Sequence, residues 1–305
     1  MKKLVIAFFV VCIAAVMSAT AQTAESYNTA GIEKAEIGFY KEAFDDFSKA
    51  IEINPQDADA YNNRGNAKAI LGDKKGALAD YTKAIEINPQ DADAYNNRGL
   101  AKSALGDKKG ALADYTKAIE LNPQYAKAYY NRGIAKSSLG DNKGAIADYS
   151  KAIELNPQFS EAYTNRGVAK SDLGDKKGAL KDYTKAIEIN PQDADAYNNR
   201  GNAKAKLGDN KGAIADYTKA IEINPQDAET YYNRGNAKSD LGDNKGAIAD
   251  YTKAIEINPQ DADIYYNRAL LYYNEDKIPL ACADLQKAKE LGLNQAIAMI
   301  DEFCK

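Results

Sequence analysis

The sequence predicts an all-α fold: a solenoid of eight tandem helix-turn-helix units, closed at its C-terminal end by a capping helix. Three observations predict it. Pro55, Pro89, Pro123, Pro157, Pro191, Pro225 and Pro259 recur at one interval of thirty-four residues. Ala58–Asp91 and Ala194–Asp227 differ at only three of those thirty-four positions, with Ile70, Lys74 and Leu78 standing against Lys206, Asn210 and Ile214. Each block carries two stretches of helical periodicity split by Gly-Asp, and self-similarity at such a period marks stacked repeats.

Met1–Ala21 stands outside the repeats. Lys2 and Lys3 precede an apolar run from Leu4 to Met17, and Ala19-Thr20-Ala21 is a small-x-small cleavage site. This pattern reads as a signal peptide cut before Gln22. The alternative is an uncleaved anchor, for which the run is short. Cys12 lies inside the run with no small residue before it, which argues against a lipoprotein. No later stretch is long and apolar enough to cross a bilayer, so the mature chain is expected to have no membrane span and to be exported, to the periplasm or beyond.

The repeats are expected at residues 24–57, 58–91, 92–125, 126–159, 160–193, 194–227, 228–261 and 262–295, one elongated domain spanning 22–295, with the capping helix at 296–305. In the second repeat Asp57 is a suitable N-cap, and Tyr61, Arg64, Gly65, Lys68 and Leu71 share one helix face. Asp59, Asn62, Asn66, Ala69 and Ile70 fall on the opposite face. Gly72 ends the helix and Asp73 caps a second one, whose inner face holds Ala77, Asp80, Tyr81, Ala84 and Ile87. Asn88-Pro89 stops it, because proline restricts the residue before it and cannot donate to the helix ladder. The first repeat is degenerate, with Ala30 in place of Arg. The eighth departs too, with Ala269, Leu285 and Leu293 replacing Gly, aromatic and Pro, and with Pro279 in a tolerated first-turn position. Terminal repeats lack one neighbour, so such departures are expected there.

The spacing of Tyr61, Gly65, Ala77, Tyr81, Ala84 and Pro89, met again by Tyr95, Gly99, Ala111, Tyr115, Ala118 and Pro123, resembles the tetratricopeptide repeat family. The resemblance covers residues 24–295. It implies an α-α superhelix whose concave side, lined by the first helix of each repeat, binds peptides or partner proteins. Some members of that family grip a C-terminal carboxylate with Lys and Asn. The Asn63 column is kept here, but the Asn62 column holds no Lys, so that clamp is not expected.

Two columns hold chemistry. All seven arginines (Arg64, Arg98, Arg132, Arg166, Arg200, Arg234 and Arg268) occupy one repeat position on the packing face. A partly buried guanidinium needs a partner, and the Asp80, Asp114, Asp148, Asp182, Asp216, Asp250 and Asp284 column supplies it. The expectation is a ladder of structural ion pairs, represented by Arg64 with Asp80 and Arg98 with Asp114. The alternative is a row of anion-binding arginines. Cys282 and Cys304 are the mature chain's two cysteines and are expected to pair in an oxidising compartment; the alternative is two buried thiols.

Variation between repeats concentrates on the free face of the first helices. There, Asn96, Leu100, Tyr130, Ile134, Ser138, Thr164, Val168 and Asp172 are the candidate partner-binding residues, with Leu100, Ile134 and Val168 as an apolar stripe. The alternative is drift after duplication. The chain has no histidine, no phosphate loop and no singled-out carboxylate pair, which points away from an enzyme and implies no cofactor or metal. A net charge of −4 with interspersed signs makes no basic stripe for nucleic acid. A protein or peptide partner is expected; the other reading is a structural or self-associating spacer.

Overall fold

The computed structural model describes residues 23–304. The expected signal peptide at Met1–Ala21 lies outside the described residues, as does Lys305. Among the described residues there are seventeen α-helices and no strand. They fall into two compact units divided between Gly140 and Asp141, inside the fourth predicted repeat. The first unit holds α1 (Ala24–Glu36), α2 (Tyr40–Ile53), α3 (Ala58–Ile70), α4 (Lys74–Ile87), α5 (Ala92–Ala104), α6 (Lys108–Leu121) and α7 (Ala126–Ser138). The second holds α8 (Asn142–Leu155), α9 (Ser160–Asp172), α10 (Lys176–Ile189), α11 (Ala194–Lys206), α12 (Asn210–Ile223), α13 (Ala228–Asp240), α14 (Asn244–Ile257), α15 (Ala262–Asn274), α16 (Ile278–Glu290) and α17 (Gln295–Phe303).

Local chemistry sets each boundary. Asp57 accepts from Ala60 N–H at 3.0 Å and caps α3. Gly72 turns the chain at φ +89°, where a side chain would be strained. Asp73 then accepts from Gly76 N–H at 2.9 Å and caps α4. An added Cβ on Gly76 would lie 2.0 Å from the Asp73 carboxylate, so a larger residue there would push the cap aside. At the far end Asn88 Oδ1 accepts from Gln90 N–H at 3.2 Å, which bends the chain out of the helix around Pro89. Leu71 does not share the packing face expected of it: α3 ends at Ile70, and Leu71, outside the helical register as its C-cap, is exposed.

Packing follows from the small residues. A Cβ on Gly65 would sit 2.6 Å from Cε1 of Tyr81, so the Tyr81 ring lies directly against the α3 backbone. Ala77 and Ala84 are fully buried, and Ile85 rather than Ile87 completes the core of α4, packed with Ala94 of the next repeat between Tyr61 and Tyr95. Within each unit, each helix therefore packs on the helix before and the helix after it. First helices of successive repeats also touch directly, α1 with α3, α3 with α5 and α5 with α7, and in the second unit α9 with α11 and α11 with α13. Second helices make no comparable contact with one another, so in each unit the first helices line the inner side.

At the C-terminal end, Ala269 and Leu285 replace the glycine and the aromatic together, and both are buried. Helix α17 buries Ala296 and lays Met299 and Ile300 over Tyr265, Leu285 and Ala288. A disulfide joins Cys282 of α16 to Cys304 at the end of α17. No helix among the described residues is long and apolar enough to cross a membrane.

Candidate protein-binding groove

The frame of the inner face is an ion-pair ladder. Arg64 is bidentate on Asp80, with Nε to Oδ2 and Nη2 to Oδ1 both at 2.9 Å. Arg98 repeats this on Asp114 at 2.9 and 2.7 Å. In the second unit Arg166, Arg200, Arg234 and Arg268 hold Asp182, Asp216, Asp250 and Asp284 in the same way. Each Arg also lies over the Tyr one turn earlier, Arg64 at 5.5 Å from the Tyr61 ring centroid. For most of them the remaining Nη1 reaches a hydroxyl of the preceding repeat, as Arg166 does to Ser150 at 3.0 Å and Arg234 to Thr218 at 3.1 Å. These guanidinium groups are occupied inside the stack. They do not form an anion-binding row. Hydrogen bonds to Asp80 raise the pKa of Arg64 and outweigh its burial, so the pair stays charged.

A second cation sits on most of these carboxylates. Lys68 contacts Asp80 at 2.8 Å and Lys102 contacts Asp114 at 2.8 Å. The first repeat, which lacks the Arg, keeps only its Lys34–Asp46 pair. Sequence reasoning missed this role, because Lys is spread over the whole repeat and only its position, one turn after Arg, signals it.

A second ladder runs along the first helices. Asn63 Nδ2 donates to Asn28 Oδ1 at 3.1 Å, Asn97 Nδ2 to Asn62 Oδ1 at 3.1 Å and Asn131 Nδ2 to Asn96 Oδ1 at 2.9 Å. Asn96 is therefore only 4% exposed and is no free groove residue, contrary to expectation. Thr164 is corrected likewise: it is 8% exposed and its hydroxyl donates to Asp193 at 3.2 Å. This repeat position lies between neighbouring first helices, and only positions one and two turns further along look outward.

Those outward positions are where the two units differ. In the first unit Leu100 is 46% exposed and Ile134 40% exposed, with Ser138 exposed, while Tyr130, at the repeat position of Asn96 and Thr164, is half-buried. Ile32 and Ile70, which the sequence reading did not select, are exposed with them. Ile32 holds the same repeat position as Leu100 and Ile134, a match hidden by the degeneracy of the first repeat. One cleft is lined by Ile32, Tyr40, Phe47, Ala67 and Ile70. The next, of about 590 Å³, is lined by Asn66, Ile70, Lys74, Tyr81, Leu100 and Ala104. In the second unit Val168 is half-buried against Ala179, Tyr183 and Ala203, and Asp172 is exposed. The cleft there is polar, lined by Asn236, Ser239, Asp240, Asn267 and Asn274 beside Leu270.

Leu100 stands at a position that elsewhere supplies a hydrogen-bond acceptor. At the same position Asn66 accepts from the hydroxyl of Tyr81 at 2.8 Å, and Asn202 and Asn236 accept from Tyr217 and Tyr251 at 2.7 Å. Leucine removes that acceptor from Tyr115 and exposes apolar surface in its place. Among the described residues no group of His, Cys, Asp or Glu is placed to hold a metal ion.

Stacked helix pairs with an inner face left free are the geometry of an all-helical repeat scaffold. The chain belongs to the tetratricopeptide repeat family: models of that repeat match residues 33–72, 65–106, 92–125, 126–159, 149–181, 171–208, 201–242 and 235–276. Among solved structures it is similar to YrrB, described as a TPR protein with an unusual peptide-binding site, at 31% identity and a TM-score of 0.50 over 59% of this chain and 92% of that one. It shares its fold with the Cut9–Hcn1 hetero-tetramer of the APC/C (19% identity, TM-score 0.64, 87% of this chain) and spans only 53% of that chain. It also shares its fold with a tetratricopeptide repeat protein from Parabacteroides merdae ATCC 43184 (23% identity, TM-score 0.60, 86% of this chain and 99% of that one). A search of curated proteins returns no match.

Proposed function

We propose that this chain is a protein-interaction scaffold that holds an extended segment of a partner protein against the first helices of its first unit. The observation that carries this is the row Ile32, Ile70, Leu100 and Ile134, large apolar side chains left exposed on the inner face and separated by clefts. A repeat selected only for stacking would keep Asn at the Leu100 position, as the second, sixth and seventh repeats do. YrrB, a TPR protein with a peptide-binding site, supports the same use of the fold. The rival reading is a spacer in which no groove side chain matters. No step of this function requires catalysis, a cofactor or nucleic acid. The leader-like Met1–Ala21 and the Cys282–Cys304 pair support action outside the cytoplasm, in the periplasm or beyond.

The test is capture of partners from the exported fraction by the wild type, by Leu100→Glu/Ile134→Glu and by a control with Lys206→Glu on the second unit. With folding checked by circular dichroism, the double variant is expected to lose the partner and the control to keep it. Equal capture by all three would leave the spacer reading standing.

A further inference from the structure

The partner's chemistry is written on the rim of the same groove. Asp57 and Asp91 cap α3 and α5, and Asp59 and Asp93 stand in the first turns of those helices. Some acidic side chains of the first unit hold cations: Asp80 and Asp114 hold two each, and Glu86 and Glu120 hold Lys83 and Lys117. The four rim carboxylates do not. The bonds recorded for Asp57 and Asp91 are from backbone N–H groups of their own helices, and among the described residues no lysine or arginine pairs with any of the four. Their crowding is felt locally. Partial burial first, then the charges of Asp57 and Asp91, raise the pKa of Asp59 above the ordinary aspartate value. Burial and then Asp93 and Asp91 raise that of Tyr125.

The acidic rim and the apolar floor coincide. Glu25, Asp59 and Asp93 occupy one repeat position in the first three repeats, and Lys127 replaces them in the fourth. Ile32, Ile70 and Leu100 lie in those same three repeats. In the second unit Glu161, Asp195, Glu229 and Asp263 keep the acid, but the floor is mixed, with Asn202, Lys206, Asn236 and Asp240 beside half-buried Val168 and Leu270. At these floor positions, among the described residues, large apolar side chains are exposed only in the first unit, at Ile32, Ile70, Leu100 and Ile134.

We propose that the first unit binds an extended basic–apolar peptide segment of another protein, one bulky apolar side chain seated between Ile70 and Leu100 and a lysine or arginine meeting Asp59 and Asp91. This rests on the groove reading above and names its ligand class. Asp91, the cap of α5, stands nine residues before Leu100, about 13 Å at 1.5 Å per residue. An extended peptide covers that in about four residues. The required pattern is thus an aliphatic or aromatic residue with a basic residue about four positions away. Opposite charge at a rim sets selectivity and on-rate, while the desolvated anchor sets residence.

The experiment is selection of a randomised soluble decapeptide library on the wild-type chain, on Asp59→Asn/Asp91→Asn and on Leu100→Glu. Asparagine caps a helix as aspartate does, so the double variant keeps α5. Expected is enrichment of Lys or Arg about four residues from an apolar anchor, with binding about tenfold weaker in the Asn variant or when salt is raised several-fold, and absent in Leu100→Glu. Apolar peptides enriched without basic residues, and insensitive to the Asn variant, would overturn this proposal while leaving the groove reading intact. No peptide binding sensitive to Leu100→Glu would overturn both. A dimer in sedimentation that Leu100→Glu dissociates would make a second copy of the chain the occupant instead, and overturn it as well.

Discussion

Asp114→Asn is the sharpest test of the ion-pair ladder. The carboxylate is 5% exposed and bound by Arg98 at 2.7 and 2.9 Å and by Lys102 at 2.8 Å. The amide is nearly isosteric, so the change leaves packing alone and removes one negative charge between two cations. Breaking a buried pair costs about 3–5 kcal/mol, because the partner remains charged and unpaired. Arg98 and Lys102 keep 17% and 22% of their side-chain exposure, so water relieves part of this, and about 3 kcal/mol is the expected loss. Stability in stacked repeats is the sum of local terms, so the loss should be concentrated in α5 and α6. Hydrogen exchange followed by mass spectrometry reads this directly: amides of 92–121 should exchange over a hundredfold faster while those of 24–53 change little, a hundredfold being about 2.7 kcal/mol. The companion variant Arg98→Met/Lys102→Met/Asp114→Leu removes all three charges and should recover most of the stability. A loss below about 0.5 kcal/mol for Asp114→Asn would show that the ladder is solvated in practice and would refute its structural role.

Gly65→Ala places a methyl 2.6 Å from the Tyr81 ring and should cost about 1–3 kcal/mol in a thermal melt. Gly65→Ala/Tyr81→Leu, copying the buried Ala269–Leu285 pair of the last repeat, should recover part of that loss. Asp59 has a raised pKa, so the folded chain binds its proton more tightly than the unfolded chain, and stability falls as pH rises from the ordinary aspartate value through the raised one. Asp59→Asn should therefore raise Tm at neutral pH, with the gain vanishing when pH is brought below the ordinary aspartate value. The Cys282–Cys304 bridge closes a separation of 22 residues, and Cys282→Ser should cost about 3 kcal/mol, read as loss of amide protection confined to α16 and α17.

The helices were legible because their signals are local. Asp57, Gly72, Asp73 and Pro89 each end or begin an element by their own chemistry, and repetition at a thirty-four-residue interval multiplies the signal. The Arg–Asp pairing was legible for a different reason: arginine occurs at only one column, so its use stood out against lysine. Lysine's own share of the ladder was invisible for the converse reason. The asparagine ladder escaped because it joins residues about one repeat apart, and a helix wheel shows one helix at a time. The same blindness misplaced Asn96 and Thr164, whose burial comes from the neighbouring first helix.

The groove shows where such reasoning can recover what it missed. Leu100 and Ile134 stood out as departures from a column of asparagines, but Ile32 belongs to a repeat too divergent to enter the comparison, and Ile70 stands at another position on the same face. Structure joins them because inner-face neighbours along a stack are related by repeat position and not by sequence distance. The acidic rim is subtler still. Every Asp in it has a satisfactory local reason, as a cap or as a first-turn charge facing the positive end of a helix. Only when α3 and α5 are set side by side do those locally favourable charges add to a field, and among the described residues no lysine or arginine pairs directly with any of them. A feature that each helix benefits from separately, and that the assembly leaves uncompensated, is where an oppositely charged partner gains most.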